Sequence, residues 1–398
     1  MPKKRTAAVI RDKNGAGIEL WSRGRKGASA RPLFSPASPE AIAAMNRTLN
    51  HVPEVMVKVT GGGRDTGTAQ AHLSYIDRHG KLDVHTDEGE VLNGKDVSQF
   101  IVEDWKLDIS KSANAKTHNR QAPEPGAKDK NGRAVKDSRG KQAHNIVLSM
   151  PQGTPPQAVL AAAQAFAREN FALNHRYAMV LHDPATDPRH EKTESGKNPH
   201  VHLVVKAVSE TGERLYIRKD TLRLWREQFA HALREQGVQA NATPSALRGK
   251  GKSSAKSNIH QHQERLEKWR TEGHGKENGR NGPVASTLQN SRYTSVLDEI
   301  YNGSKPDESR KEKMTATRAN VVKDWLATAT ALREAGNNKD ADRVLEFVKN
   351  LYPVKTDHQL LKEQVLADID RLRAAEVASK PPVVDKPVQR GDDFSHER

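Results

Sequence analysis

The stretch RYAMVLHDPATDPRHEKTESGKNPHVHLVVKAV, residues 176–208, decides how this chain is read. Two apolar runs, 176–182 and 200–208, have the length and the valine and leucine content of β-strands. A polar segment rich in Pro, Asp, Lys and Glu separates them, as in a hairpin with a long loop. Alternate residues of a strand share a face. His200, His202 and Val204 therefore project to one side, and Val201, Leu203 and Val205 to the other. The two imidazoles stand about 7 Å apart along the strand, on a sheet whose opposite side is apolar. His182 closes the first strand, and a hairpin joining the two runs places it beside the pair. Three neutral imidazoles with coordination positions left open suit a catalytic metal better than a structural one. His190, in the loop, has nothing to fix it against the sheet and reads as solvated.

Outward from this hairpin the pattern stays regular. Asn145–Met150 is a short buried strand ended by Pro151, and the helical stretch 155–171 carries Val159, Leu160, Ala163, Phe166 and Ala167 at helical spacing. After the histidine strand, a helix over about 220–236 places Leu222, Trp225, Phe229 and Leu233 on one face, with Gly237 as its stop. The order strand–helix–strand–strand–helix predicts an α+β fold, an antiparallel sheet covered by helices. Upstream, EVMVKVTGGGRDTGTAQAHLSYIDRHG reads as a strand from Val55 to Thr60, a glycine-rich turn and a helix with Thr66 or Thr68 as N-cap and Gly80 past its end. A small hairpin turns around Asp87–Gly89, and SQFIVEDWKLDI reads as an amphipathic helix. Beyond 250 come helical patterns over RANVVKDWLATATALREA, DADRVLEFVKNLY and DHQLLKEQVLADIDRLRAA. The chain thus divides into a basic flexible extension (1–50), an α+β domain (51–247), a basic linker (248–285), an α-helical C-terminal module (286–377) and a disordered tail (378–398).

Composition narrows the function classes. With 398 residues the chain exceeds a typical domain of about 150 residues more than twofold. It has no cysteine, which excludes disulfides, zinc knuckles, iron–sulfur clusters and thiol nucleophiles. No window approaches the roughly 18 continuous apolar residues of a membrane span, and the first residues lack the apolar core of a secretory signal. A soluble, cytoplasmic protein without membrane insertion is expected. The net charge is +15, a balance that points to nucleic acid. It is concentrated in residues 1–33, 113–142 and 248–280, at +7, +5 and +5. These read as loops or tails that either solubilise the chain or reach phosphates. A metal site on a basic protein needs a nucleophile. The helix TAQAHLSYIDR offers Tyr75, with His72 and Arg78 three residues to either side on one face. Spacing alone favours Tyr75 as a half-buried packing aromatic beside Leu73 and Ile76.

The segments AQAHLSYIDRHGKL (69–82), HNIVLSMP (144–151) and LHDP with NPHVHLVV (181–184 and 198–205), in that order, resemble the three motifs of the conjugative relaxases, or mobilisation nucleases, of the histidine–hydrophobe–histidine endonuclease superfamily. The nearest likeness is to the MobA/VirD/TraI-like group, over about residues 50–250. The resemblance implies a nickase acting on single-stranded DNA at the transfer origin of a plasmid or integrative element. Tyr75 would be its nucleophile, and His182, His200 and His202 the ligands of Mg²⁺ or Mn²⁺. Asp183 would be a supporting acid, although the family's acid is usually one residue further on, where this chain has Pro184. The resemblance also implies accessory relaxosome proteins and a coupling protein as partners, and a bacterial cytoplasmic protein exported with the transferred strand. The chain departs from the pattern in its N-terminal extension, its 113–142 loop and the polar insertion after His182. Two other readings stay open. In a rolling-circle replication initiator the catalytic Tyr follows the histidine pair, where Tyr216 stands. In a non-catalytic basic DNA-binding protein the histidines are incidental. A histidine-triad nucleotide hydrolase would want a third His near position 204, which is Val204.

Overall fold

The computed structural model describes residues 10–11, 17–18, 31–107, 140–188, 198–250 and 287–379. In chain order the elements are β1 (Ile10–Arg11), β2 (Gly17–Ile18), α1 (Pro39–Leu49), β3 (Met56–Gly61), α2 (Thr66–Ile76), β4 (Val84–Thr86), β5 (Val91–Leu92), α3 (Val97–Asp104), β6 (Ala143–Ser149), α4 (Pro156–Phe171), β7 (Tyr177–His182), β8 (His200–Lys206), α5 (Lys219–Glu235), α6 (Thr287–Asn302), α7 (Ser309–Glu334), α8 (Asn338–Lys349) and α9 (Asp357–Ser379). Apart from the short β1–β2 ribbon, the strands form one six-stranded sheet in the order β3-β6-β8-β7-β4-β5. Every neighbouring pair is antiparallel. The α+β architecture expected from the histidine hairpin is the one observed. His190 and most of the three basic stretches, with the linker at 251–286 and the tail beyond 379, lie outside the described residues.

The period of two along β8 sorts the core into two layers. Val201, Leu203 and Val205 join Ile146, Leu148 and Met179 under α4 and α5. There Phe166, Phe171, Trp225 and Phe229 meet edge to face, with ring centroids 5.6–6.3 Å apart, a favoured aromatic arrangement. On the other face Val204, Val180, Ala178 and Ala143 pack beneath Leu73 and Ile76 of α2, Ile101 of α3 and Trp105 at the end of α3. That second layer covers one end of the sheet. His182, His200 and His202 stand on the same face, beside the C-terminus of α2.

Helix α2 begins and ends through its own residues. Asp65 is its N-cap, accepting from Thr68 N at 2.8 Å, and Thr68 Oγ1 accepts from Asp65 N at 3.1 Å. The threonine named from the sequence is thus the reciprocal partner at the third helical position, because an aspartate one turn earlier caps more directly. At the far end Arg78, His79 and Gly80 all take the left-handed conformation, with φ of 58°, 59° and 78°. A Cβ at Gly80 would fall 2.3–2.5 Å from the backbone of Gly94 and Lys95, so no other residue fits there. For Arg78 and His79 the conformation costs on the order of 1 kcal/mol each. It turns the chain sharply and aims Arg78 back across the sheet.

Two compact units divide the chain differently from the sequence reading. One comprises residues 1–244 with 324–349, the other residues 245–323 with 350–398. In the first, residues 31–50 are not a flexible extension. Ser38 caps α1, and Arg343 of α8 donates to Asn46 and Asn50 at 2.6 and 2.7 Å. Trp325, fully buried, packs between Phe34 and Phe347 in tilted contacts with centroids 5.5 and 5.1 Å away. The apolar faces of these C-terminal helices are completed by N-terminal residues, a pairing at nearly three hundred residues' separation that no local pattern reveals. In the second unit, α6 packs on α9, where Glu299 accepts from His358 and Lys362 at 2.6 and 2.7 Å. Helix α6 was not foreseen. Of its described residues Val296 alone is fully buried, so its apolar stripe is too thin to read.

Candidate active site

The antiparallel register sets His182 opposite His200 and Val180 opposite His202. The three rings cluster with centroids 4.6–5.2 Å apart. One ligand atom from each lies within 4.8 Å of the others. Each ring is oriented by a bond on its far side. His182 Nε2 donates to the main-chain oxygen of Ile76 at 2.7 Å, leaving Nδ1 turned inward, 3.2 Å from His200 Nε2. His200 Nδ1 donates to Asn198 O at 2.9 Å. His202 Nδ1 lies 3.0 and 3.3 Å from the two side-chain polar atoms of Asn145, which also donates to Thr60 Oγ1 at 2.8 Å. Such outer bonds fix ring orientation and leave lone pairs converging, as metal-ligating histidines require.

Electrostatics agrees with that donor set. Burial holds His182 at about 3, with Arg78 and His200 adding to the effect against the Ile76 carbonyl. Burial, followed by the neighbouring imidazoles, holds His202 at about 2. Both stay neutral throughout the physiological range. An unfolded imidazole titrates near 6.5, so below that pH the unfolded chain binds more protons and folding weakens. The urea midpoint of the metal-free protein is therefore expected to hold steady from pH 8 to 7. It should fall between about pH 6.5 and 4. In His202→Gln the fall should be shallower; an unchanged slope would refute this account.

Tyr75 and Arg78 meet this centre from α2. The Arg78 guanidinium sits 5.5 Å over the Tyr75 ring, donates to Tyr75 O at 2.9 Å and reaches His182 Nδ1 at 3.1 Å. Tyr75 is 47% exposed, so its hydroxyl-bearing ring is open to a large substrate. His72, one turn earlier, bonds Asn145 and has its pKa lowered, chiefly by burial.

Asp183 does not reach the histidines through a contact the structure records. Its carboxylate accepts from Ala185 N at 2.9 Å, and its carbonyl accepts from Asp187 N at 2.8 Å. That turn brings back a different acid. Asp187, fully buried, binds Arg78 through two bonds of 2.8 and 2.7 Å and lies 3.6 Å from His182 Nδ1. Sequence reasoning missed Asp187 because the acid was sought next to His182, whereas the DPATD turn delivers one four residues further on. Removing one member of a buried ion pair costs about 3–5 kcal/mol. Asp187→Ala is accordingly expected to lower stability by about 3 kcal/mol, and Asp183→Ala by less than about 1 kcal/mol for one turn hydrogen bond. Urea unfolding of both variants checks the contrast; equal losses would overturn it.

Residues 97–238 match the family model of the relaxase of MobA/VirD2-like type, nuclease domain. These residues form a relaxase nuclease domain. The matched stretch of the relaxase domain contains all three histidines and both aspartates, and it starts after Tyr75. Among solved structures, a chain from work on the molecular basis of vancomycin resistance transfer in Staphylococcus aureus aligns over 48% of this chain and 99% of its own, at 14% identity and a TM-score of 0.25. No curated protein matches the chain. No helix among the described residues is long and apolar enough to cross a membrane.

Proposed function

We propose that this protein is a DNA relaxase of a bacterial mobile element, cutting one strand at a transfer origin by transesterification with Tyr75 as nucleophile. The observation that carries the reading is the Arg78 guanidinium, which bridges the Tyr75 ring and His182 and so ties the tyrosine to the histidine cluster. His182, His200 and His202 would hold a divalent cation, Mg²⁺ or Mn²⁺, which supplies charge neutralisation at the non-bridging oxygens of a scissile phosphate. His182, buried, and His200 and His202, partly buried, bring one ligand atom each within 4.8 Å of the others, a donor set that fits such an ion, and imidazole favours Mn²⁺ by softness.

The remaining work falls to the chain's own side chains. A phenol titrates near 10 and attacks poorly while protonated. Arg78, over the ring face, places a positive charge beside the attacking group, where negative charge gathers on the phosphate. Attack by Tyr75 Oη on phosphorus forms a 5′-phosphotyrosyl bond as the bond to the 3′-oxygen breaks. The phenolic proton passes to solvent, and the 3′-oxygen leaves as a hydroxyl after taking up a proton. One phosphoester replaces another, so the step is close to energy-neutral and reversible, as strand transfer and rejoining require. Tyr216, the nucleophile of the replication-initiator reading, lines a cavity with His144. Along β6, His144 alternates with Ala143 and Asn145, which face the histidine side, so that cavity borders the opposite face.

Single-stranded DNA is the substrate, in the cytoplasm, with accessory relaxosome proteins and a coupling protein as partners. Truncation after residue 285 would also remove Trp325 and Phe347 from the core of the first unit, so partner docking is better probed by surface substitutions on α6 and α9. The defining test mixes purified protein with single-stranded oligonucleotides spanning the element's candidate origin, with Mn²⁺, Mg²⁺ or EDTA. A metal-dependent, denaturation-resistant protein–DNA band supports the proposal. DNA binding that is insensitive to EDTA, without any such band across the whole origin region, would overturn it in favour of a plain DNA-binding protein.

A further inference from the structure

A second cluster of basic groups stands at the sheet's β3 edge, away from the histidine triad. Lys141, His144 and Arg214 line a cavity of about 390 Å³ together with Val59, Tyr216 and Leu222, within the roughly 300–1,000 Å³ range of ligand pockets. Val59 and Leu222 belong to the α4/α5 side of the sheet. Lys141 Nζ donates to Gly61 O at 2.6 Å, and Arg214 Nη2 donates to Lys141 O at 2.7 Å. Carbonyls thus hold both cations in place without neutralising them. Among the described residues, no acidic side chain forms an ion pair with Lys141 or Arg214. Arg214 Nη1 and His144 Nδ1 are buried without a hydrogen-bond partner among the described residues. The Arg214 guanidinium lies flush against Gly140, where a Cβ would come within 2.2 Å.

A partly buried pair of like charges with an orphaned guanidinium N–H is unfavourable unless an anion completes it. Burial and the surrounding positive charge both disfavour protonation there. Burial, then Lys141 and Arg214, lower His144 to about 4, and burial and Arg64 lower Lys141. Beside these cations is an aromatic surface. Leu215 and Ile217 pack on the core while Tyr216, between them, turns outward and is 73% exposed. A cation pair next to an exposed ring matches the two recognition elements of single-stranded nucleic acid, a phosphate contact and a stacking platform.

We infer that Lys141 and Arg214 bind a backbone phosphate of single-stranded DNA, with an adjacent base stacked on Tyr216, at a site separate from the nicking centre. The inference rests on the proposed DNA chemistry only for the identity of the anion. The test uses full-length protein and fluorescein-labelled oligo(dT)₁₅ in EDTA, with anisotropy measured across a salt series, so neither metal nor an origin sequence enters. Single-stranded binding loses about 0.7 in the slope of log K against log salt per phosphate contact. Lys141→Gln and Arg214→Gln are each expected to reduce the slope, and the double variant to reduce it by about that amount, while Arg214→Lys retains it. Tyr216→Leu should weaken binding about tenfold at unchanged slope, and Tyr216→Phe should restore it. Unfolding midpoints of the variants identify any that fail to fold. Folded Gln variants with wild-type slope, or a Tyr216→Leu protein of wild-type affinity, would overturn the inference. Weakening of binding by inorganic phosphate at millimolar concentration as effective as by unlabelled oligonucleotide would assign the cavity to free phosphate and overturn it too. Loss of oligo(dT) binding with origin nicking retained, and the converse, are separate results, so this site and the nicking centre fail independently.

Discussion

Phe in place of Tyr75 is expected to abolish the covalent protein–DNA product, a fall on the order of 10⁴-fold or more, as for removal of other enzyme nucleophiles. The substitution deletes only the hydroxyl. The ring stays beneath Arg78, where the guanidinium lies 5.5 Å from its centre, and a half-exposed ring makes little difference to stability. Metal affinity and non-covalent binding of the oligonucleotide should therefore match the wild type, which separates loss of the nucleophile from loss of the site. The readout is the denaturing gel with wild-type and variant protein side by side. An adduct that persists in Tyr75→Phe would move the nucleophile elsewhere. Tyr216→Phe is the control; if it alone lost the adduct, the relaxase mechanism would fail.

The second large effect is expected at the metal. His202→Ala removes one of the three proposed ligands and leaves Asn145 without the ring it orients. Loss of an outer-shell partner commonly lowers metal affinity about 10–100-fold, and loss of a ligand should exceed that, giving at least a 100-fold weaker Mn²⁺ association by calorimetry. Asn145→Ala should fall between the variant and wild type, because it frees the His202 ring without deleting it. Adduct formation should decline in the same order. Wild-type Mn²⁺ affinity in His202→Ala would show that the cluster binds no catalytic ion.

Much of this was legible in residues 176–208. Alternation put Val201, Leu203 and Val205 in one layer and the histidines in the other, because a strand's period of two is fixed by its backbone. The hairpin register then followed from His182 closing its strand. Asp187 escaped because its position depends on how a turn folds back, which spacing does not encode. The role of Arg78 was only half visible. Its place three residues after Tyr75 reads as a shared helical face, yet it reaches out from beyond the helix end, in the left-handed conformation that lets it span to Asp187 and His182. The burial of Trp325 and Phe347 in the first unit was invisible for another reason. Each helix there reads as amphipathic, and amphipathicity does not name the partner that covers it.

The bond from His182 to the carbonyl of Ile76 has a genetic consequence. Every peptide unit carries that oxygen whatever the side chain, so no point mutation at position 76 can delete the acceptor. Exchanges among aliphatic residues there should be neutral for the ligand's tautomer. His202 instead leans on the side chain of Asn145, which most single-codon changes would remove. Under random mutagenesis the two histidines should therefore show unequal robustness, with inactivating changes near His202 spreading to its supporting residue and those near His182 confined to the histidine and to the turn that holds the helix end in place.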